Sequence, residues 1–179
     1  MRITGRAWTF GSNINTDLIF PKTFFKAVYA PGEMSGHLMA GLDAGFAARV
    51  QPGDIIVGGP NFGCGSSREE AAGAMREAGI GAVVAPGFGR LFTRNSINLG
   101  LPVITATEID KQVSDGDTLT IDLTEGVLLN ESTGFQMRIP PMAEDSLRLM
   151  QEGGIAAYTR KVLDERKARG EPSRRGASA

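Results

Sequence analysis

One short stretch of the sequence combines glycine, hydroxyl and cationic residues at a spacing that could support chemistry. Residues 60–70 read Pro-Asn-Phe-Gly-Cys-Gly-Ser-Ser-Arg-Glu-Glu. The two glycines allow a sharp turn and a close approach of the backbone to a bound group. Ser66, Ser67 and Arg68 then stand where a helix is expected to expose unpaired N–H groups and the positive end of its dipole. The stretch therefore predicts a small anion site that contains a reactive hydroxyl.

Three known nucleotide-binding and nucleophile motifs do not match this stretch. A dinucleotide fingerprint requires a third glycine at the position of Arg68, and a phosphate-binding P-loop requires a lysine that the stretch lacks. A serine-hydrolase elbow requires a glycine two residues after the serine, but Ser66 is followed by Ser67 and Arg68. The only imidazole is that of His37, and nothing in the sequence places it beside the serines. These three activities are therefore not expected.

A purely structural interpretation of the two serines stays open on the residues alone. Ser66 with Glu69, and Ser67 with Glu70, both match the capping-box spacing, so either serine is a predicted N-cap of the next helix. In this interpretation Arg68 is a solvated residue of the first helical turn.

The elements that must position the stretch alternate between strands and helices. Apolar runs predict strands at residues 3–10, 54–57, 80–86 and 101–104, and helical patterns predict helices at 35–40, 71–78 and 88–98. This alternation indicates right-handed parallel β-α-β crossovers. Short strands at 118–123, 126–130 and 135–139 predict a small antiparallel appendage, followed by helices at 143–152 and 155–164. The predicted fold class is therefore α/β.

Composition limits the classes of protein to which the chain can belong. It has 179 residues, with 19 Lys and Arg against 20 Asp and Glu, so no charge excess indicates nucleic acid or membrane lipid as a partner. No apolar run approaches the roughly 20 residues that span a bilayer, and the first residues lack a signal peptide's apolar core. We therefore expect a cytoplasmic protein.

Two further predictions follow from the single cysteine and the charged end of the chain. Cys64 and His37 are the only residues of their kinds, so this chain is expected to hold neither an iron–sulfur cluster nor zinc, and Cys64 is expected to be a small buried residue. Residues 1–164 are predicted to form one domain. Residues 165–179 mix charges with Gly, Pro and Ser, which predicts a disordered, solvated tail.

Residues 61–69 resemble the signature of the aconitase swivel-domain family, in the form carried by the separate small subunits of 3-isopropylmalate dehydratases. Further resemblance lies in Asn15-Thr16-Asp17 with Pro21, in residues 50–59 and in residues 88–102. It spans residues 3–160. The resemblance implies a swivel-type domain with a parallel β-α-β core, helices and a small antiparallel appendage.

The same resemblance implies a hydro-lyase that dehydrates and rehydrates a hydroxy-di- or tricarboxylate through an alkene. The family member it resembles interconverts 2-isopropylmalate and 3-isopropylmalate in leucine biosynthesis. By motif match Ser66 is the base that removes the carbon-bound proton, while Ser67 and Arg68 bind a substrate carboxylate. A [4Fe–4S] cluster acts as the Lewis acid. Because this chain has one cysteine, the implied cluster belongs to a large partner subunit, in a heterodimer or heterotetramer, and the chain alone is expected to be inactive.

Two departures from the family pattern bear on the predicted site: one on the subunit contacts or the electric field around Ser66, the other on the choice of substrate. Glu70 stands where the family usually has histidine, and residues 24–32, a possible mobile substrate loop, begin Phe-Phe-Lys-Ala-Val instead of with Tyr-Leu. The apolar loop favours an isopropyl or methyl substituent. Lys26 is a predicted substrate-binding residue that would suit a third carboxylate. Alternatives are therefore a dehydratase of homoaconitate, methyl-substituted malate or another hydroxy acid, or a non-catalytic swivel domain that binds a partner.

Arg90 and Arg94 lie one helical turn apart in the helix predicted at 88–98. They are interpreted either as a solvated face or as a subunit contact or part of the anion site.

Overall fold

The computed structural model describes residues 1–169, which form a seven-stranded sheet with helices on both faces. The strands are β1 (Arg2–Thr9), β2 (Ile55–Val57), β3 (Ala82–Ala85), β4 (Val103–Thr105), β5 (Thr118–Asp122), β6 (Val127–Asn130) and β7 (Gln136–Arg138). The α-helices are α1 (Thr16–Ile19), α2 (Glu69–Glu77), α3 (Arg90–Asn98), α4 (Glu144–Glu152) and α5 (Ile155–Ala168). Short 3-10 turns lie at Lys22–Phe24, Ser35–His37, Phe46–Ala48 and Ile109–Lys111.

Strand β1 joins a parallel half and an antiparallel half into one sheet of order β4-β3-β2-β1-β5-β6-β7. Its last residues pair in parallel with β2, and its first residues pair antiparallel with β5. At Gly5, a Cβ atom would lie 2.0 Å from the carbonyl oxygen of Gly53, so only glycine admits the backbone that leads into β2. The predicted parallel core and antiparallel appendage are confirmed, and the two share a strand.

The parallel strands are buried on both faces, as their continuous apolar runs predict. Along β2, Ile56 contributes to a core under α1, α2 and α3, whereas Ile55 and Val57 contribute to a second core on the opposite face. The second core also contains Leu119 and Ile121 of β5. Because α2 and α3 are crossovers on one face, the loops that leave β1, β2 and β3 meet at the same end of the sheet.

Three local predictions differ from the structure. The region predicted as a helix at 35–40 is a single 3-10 turn at Ser35–His37. The polar stretch before Pro21 contains helix α1, because the Asn15 side chain accepts a hydrogen bond from Leu18 N at 2.9 Å and caps it. Helix α5 continues to Ala168, so the predicted tail starts too early at residue 165; residues 170–179 lie outside the described part of the chain.

Through residue 169, no helix combines the length and the apolar character that crossing a membrane requires.

Candidate functional site

The site is built on the loop between β2 and α2, which we call the glycine loop (residues 58–68). On one side this loop pairs with the segment that follows β1. Gly63 N donates to the carbonyl of Ile14 at 2.7 Å, and Thr16 N donates to the carbonyl of Cys64 at 2.9 Å. The Thr16 hydroxyl also donates to the carbonyl of Ser66 at 3.2 Å. These bonds attach the start of α1 directly to the loop that carries the serines.

On its other side the glycine loop pairs with the segment between β3 and α3. Phe62 N donates to the carbonyl of Gly87 at 3.0 Å, and Gly89 N donates to the carbonyl of Phe62 at 2.8 Å. The Phe62 ring is fully buried and packs edge-on against Phe88 and Phe92. The loop is therefore fixed by backbone hydrogen bonds to both neighbouring connections and by one buried aromatic anchor.

The glycine positions in this loop are required by the geometry. Gly63 has a φ of +69°, and a Cβ atom there would lie 2.3 Å from the ring of Phe92. Gly65 has a φ of +99°, a conformation that residues with a side chain rarely adopt. At Gly63, the close approach that the sequence predicted for this stretch is thus made to the protein's own α3.

Ser66 and Ser67 are exposed at the tip of the loop, and the prediction that one of them caps α2 is wrong. The helix begins at Glu69, with Arg68 as the N-cap in an extended conformation and no side-chain cap bond. Arg68 N instead donates to the carbonyl of Ser66 at 2.8 Å, which closes a three-residue turn around Ser67. This turn holds both hydroxyls outside the helix, where a bound molecule can reach them.

Arg68 is buried, so the interpretation of it as a solvated first-turn residue is also wrong. Its side chain is only 7% exposed and pairs through Nη1 with Oδ1 of Asp17. Its Cζ atom lies 5.0 Å from the centre of the Phe25 ring, within cation–π range. The hydrogen bond from Arg68 holds the pKa of the Asp17 carboxyl below its ordinary value, against a smaller opposing effect of burial. The Asp17 carboxyl is therefore ionised at neutral pH.

The substrate loop predicted at residues 24–32 borders Arg68 through Phe25. Lys26 Nζ pairs with Glu33, and Glu33 Oε2 also accepts from Ala30 N at 2.9 Å. The ion pair with Lys26 lowers the pKa of Glu33. Val28 at the tip is 81% exposed. The charge of Lys26 is thus paired with Glu33, the residue just after its loop, and among the described residues Lys26 forms no hydrogen bond or ion pair with Ser66 or Arg68.

Helix α2 anchors the far end of this loop. The two carboxylate oxygens of Glu77 accept from Gly32 N at 2.6 Å and from Ser35 N at 2.7 Å. Glu70, the departure from the family pattern, lines a cavity between the loop and α2 together with Tyr29 and Met34. Glu70 therefore faces the loop's inner side, two residues after Arg68.

His37 packs among aromatic side chains, whereas Arg90 and Arg94 lie on the surface of α3. The imidazole of His37 stacks on the Phe24 ring with centroids 3.8 Å apart, which excludes the hydrolase arrangement considered above. Arg90 and Arg94 are exposed on α3, so both interpretations of them stand.

The cysteine and histidine of this chain do not fit a metal cluster. Cys64 is free and half-buried, more exposed than the sequence predicted. In residues 1–169 no group of three potential metal-ligating side chains occurs. An iron–sulfur cluster requires about three or four thiolates, so the residues present here cannot hold one.

Sequence reasoning did not assign roles to Asp17, Phe25 or Glu77. Asp17 and Phe25 were part of stretches that carried the family comparison, but their contact with Arg68 spans more than forty residues of sequence. Glu77 resembles any charged residue on a helix surface. No local pattern identifies such long-range contacts.

Known proteins resemble this chain over nearly its whole length. The Aconitase C-terminal domain model matches residues 36–108. A 3-isopropylmalate dehydratase small subunit from Nautilia profundicola is 44% identical, over 92% of this chain and 98% of its own. A methanogen homoaconitase small subunit from Methanothermobacter thermautotrophicus is 43% identical, over 90% and 93%. An isopropylmalate/citramalate isomerase small subunit from Methanocaldococcus jannaschii is 43% identical, over 91% and 96%.

A solved structure agrees with these sequence relatives. The crystal structure of a 3-isopropylmalate dehydratase from Methanocaldococcus jannaschii superposes with a TM-score of 0.84 at 38% identity, covering 93% of this chain and 99% of that one. The fold and the extent of the match therefore agree. The chain belongs to the aconitase swivel-domain family, among the small subunits of 3-isopropylmalate dehydratases and related hydro-lyases.

Proposed function

We propose that this chain is the cytoplasmic small subunit of a heteromeric hydro-lyase that interconverts 2-isopropylmalate and 3-isopropylmalate in leucine biosynthesis. The observation that supports it most is the pairing, on one rigid loop, of an exposed Ser66 hydroxyl with a buried Arg68 guanidinium. This arrangement binds an anion and places a hydroxyl beside it. The chain is half of an active site, and a large subunit supplies the other half.

Arg68 and Ser67 are the proposed carboxylate anchors. A guanidinium presents its N–H groups in a planar fork that matches a carboxylate, and hydrogen bonds between charged groups are the strong ones. Because Arg68 is withdrawn from water, its attraction for a carboxylate is screened less than that of a surface cation. Ser67 adds an exposed hydroxyl at the next position.

Ser66 is the proposed base that takes the proton from the carbon next to the departing hydroxyl. A serine hydroxyl ionises far above neutral pH, so its oxyanion must be stabilised in the reaction. The N-terminus of α2, with unpaired N–H groups, and the nearby Arg68 charge provide that stabilisation. This requirement explains why the serine lies just before a helix and outside its first turn.

The cluster that the family implies belongs on the large subunit in this proposal, because the residues of this chain do not fit it. A [4Fe–4S] cluster supplies Lewis-acid chemistry for the departing hydroxyl. The small subunit contributes the base and the carboxylate anchor.

The substrate loop favours an isopropyl substituent over a third carboxylate. Phe25 and Val28 present apolar surface, and the charge of Lys26 is already paired with Glu33. An apolar wall gains free energy by burying an alkyl group, whereas a carboxylate there would need an unpaired cation. Homoaconitate and methyl-substituted malate are the alternative substrates, in line with the names of two relatives.

Reconstitution tests this function. The chain alone, its large subunit alone and the mixture are assayed anaerobically for hydration of isopropylmaleate, with the homoaconitate and citramalate alkenes as competitors. Only the mixture is expected to turn over, and isopropylmaleate is expected to give the highest kcat/KM. Turnover by the isolated chain would refute the division of the active site. A mixture that prefers another alkene would transfer the assignment to that substrate.

A further inference from the structure

Asp17 and Phe25 both contact the guanidinium of Arg68. The aspartate contacts only one terminal nitrogen of the guanidinium, Nη1, and Phe25 covers one face of the same group. Resting on the function proposed above, we propose that Asp17 is a positioning residue that turns the Nε–Nη2 edge of Arg68 toward the substrate carboxylate.

The geometry of the guanidinium supports this assignment. It carries five N–H groups in one plane, and two of its edges can each bind a carboxylate through two parallel hydrogen bonds. With Nη1 occupied by Asp17, the edge that remains whole is the one formed by Nε and Nη2. Within residues 1–169 neither of those nitrogens has a hydrogen-bond partner. Asp17 thus leaves one complete fork for a second carboxylate.

In the Asp17–Arg68 pair the arginine is buried and the aspartate is partly exposed, as expected if the aspartate serves to hold the arginine in place. The Arg68 side chain is 7% exposed and the Asp17 side chain 47% exposed. A buried guanidinium without a counter-ion would be costly, so Arg68 is expected to remain on Asp17 when no substrate is bound. The Phe25 ring lies against one face of the Arg68 guanidinium and so restricts the tilting of that group toward the ring. The remaining freedom of the cation is small.

The backbone of Asp17 is itself fixed relative to the serines. Its helix, α1, is capped by Asn15, and Thr16 donates two hydrogen bonds to the glycine loop, to the carbonyls of Cys64 and Ser66. A displacement of Asp17 would therefore require breaking contacts to the loop that carries Ser66. The aspartate, the arginine and the proposed base form one unit.

A double-mutant cycle on the reconstituted complex tests the assignment. The variants are Asp17→Ala, Arg68→Lys and the double variant, with KM and kcat measured for 2-isopropylmalate. Asp17→Ala is expected to raise KM about tenfold while kcat changes less than about threefold, because carboxylate binding is lost from the ground and transition states alike. Once Arg68 is Lys, Asp17→Ala should raise KM by less than about twofold, since no fork remains to orient.

Two further variants separate positioning from simple loss of an ion pair. Asp17→Asn keeps the shape and one acceptor oxygen, and it should recover most of the lost affinity, with KM about threefold above wild type. Asp43→Ala removes an aspartate that is about as exposed as Asp17 and that pairs with Arg49, an exposed arginine on another part of the surface. It should leave KM unchanged.

The contrary outcomes are distinct. An unchanged KM in Asp17→Ala, or effects of Asp17→Ala and Arg68→Lys that multiply independently, would overturn the positioning role. If the Asp17→Ala complex does not assemble, Asp17→Asn replaces it in the cycle. The positioning role would then be refuted if Asp17→Asn leaves KM unchanged, or if it raises KM threefold in the Arg68→Lys background as well. A wild-type complex that does not act on 2-isopropylmalate refutes the proposed function instead.

Discussion

The glycine loop carries Arg68 and the substrate loop borders it, and the two loops are held in place by different means. The glycine loop is fixed by backbone hydrogen bonds to the connections on both sides and by glycines that admit no side chain, as at Gly63. The substrate loop is fixed by side chains, chiefly the carboxylates of Glu33 and Glu77, and it exposes Val28. The conformation of the glycine loop therefore depends on backbone contacts of the fold, whereas the conformation of the substrate loop depends on a few side chains that single substitutions can remove.

This difference indicates how one fold can serve several substrates. Backbone contacts survive most substitutions, so the loop with Ser66 and Arg68 keeps its geometry as the surrounding sequence changes. Side-chain anchors and exposed apolar residues change with single substitutions. We therefore expect reaction chemistry to be determined by the glycine loop and substrate choice by the substrate loop. Relatives of similar identity carry names that specify different acids.

Among substitutions that test the difference between the two loops, Gly63→Ala in the glycine loop is expected to have the largest effect on stability. The new Cβ would meet the Phe92 ring at 2.3 Å and require a φ of +69°, so the free energy of unfolding should fall by about 3 kcal/mol or more. Denaturant melts of the chain measure it. Gly36→Ala is the matched control, because nothing lies within 4 Å of a Cβ there. Equal melts for Gly63→Ala and wild type would show that the loop is not sterically fixed.

A smaller effect is expected from Glu77→Ala, which releases the substrate loop. Gly32 N and Ser35 N lose their charged acceptor, and the free energy of unfolding should fall by about 1–2 kcal/mol. Hydrogen exchange at those two amides should accelerate, while the amides of Gly63 and Thr16 keep their protection. The preference for isopropylmaleate over the homoaconitate alkene should narrow in the complex. Uniform acceleration of exchange in both loops would contradict their independence.

The smallest effect is expected from Lys26→Ala. Its side chain is exposed and already paired with Glu33, and such surface pairs contribute less than about 1 kcal/mol. The KM for 2-isopropylmalate should stay within about twofold of wild type. A rise of tenfold or more would instead support Lys26 as a substrate contact, as the sequence predicted, and would place a carboxylate at the substrate loop.

The sequence predicts the two halves of the sheet well, because apolar runs and turn residues are local signals. It fails where distant segments decide the outcome. The capping-box spacing of Ser66 and Ser67 is real, yet the turn around Ser67 and the extended Arg68 exclude both from the helix. The pairing of Arg68 with Asp17 likewise depends on the docking of α1 against the glycine loop.

The sequence also does not predict that β1 joins the two halves of the sheet, for a related reason. Its apolar pattern predicts a strand but not that the same strand pairs with β2 at one end and β5 at the other. Gly5 marks the change of partner, and its need for glycine arises from the carbonyl of Gly53, distant in the sequence. Chain contacts of this kind become visible only in the folded molecule.

The central claim, that Ser66 removes the carbon-bound proton, is tested most directly by isotope exchange. In deuterated water the reconstituted complex should exchange that proton of its isopropylmalate substrate with solvent, and Ser66→Ala should slow the exchange by about a thousandfold or more. Ser67→Ala serves as the neighbouring control and should retain exchange with a raised KM. Exchange at the wild-type rate in an assembled Ser66→Ala complex would contradict the claim and favour a swivel domain that only binds its partner.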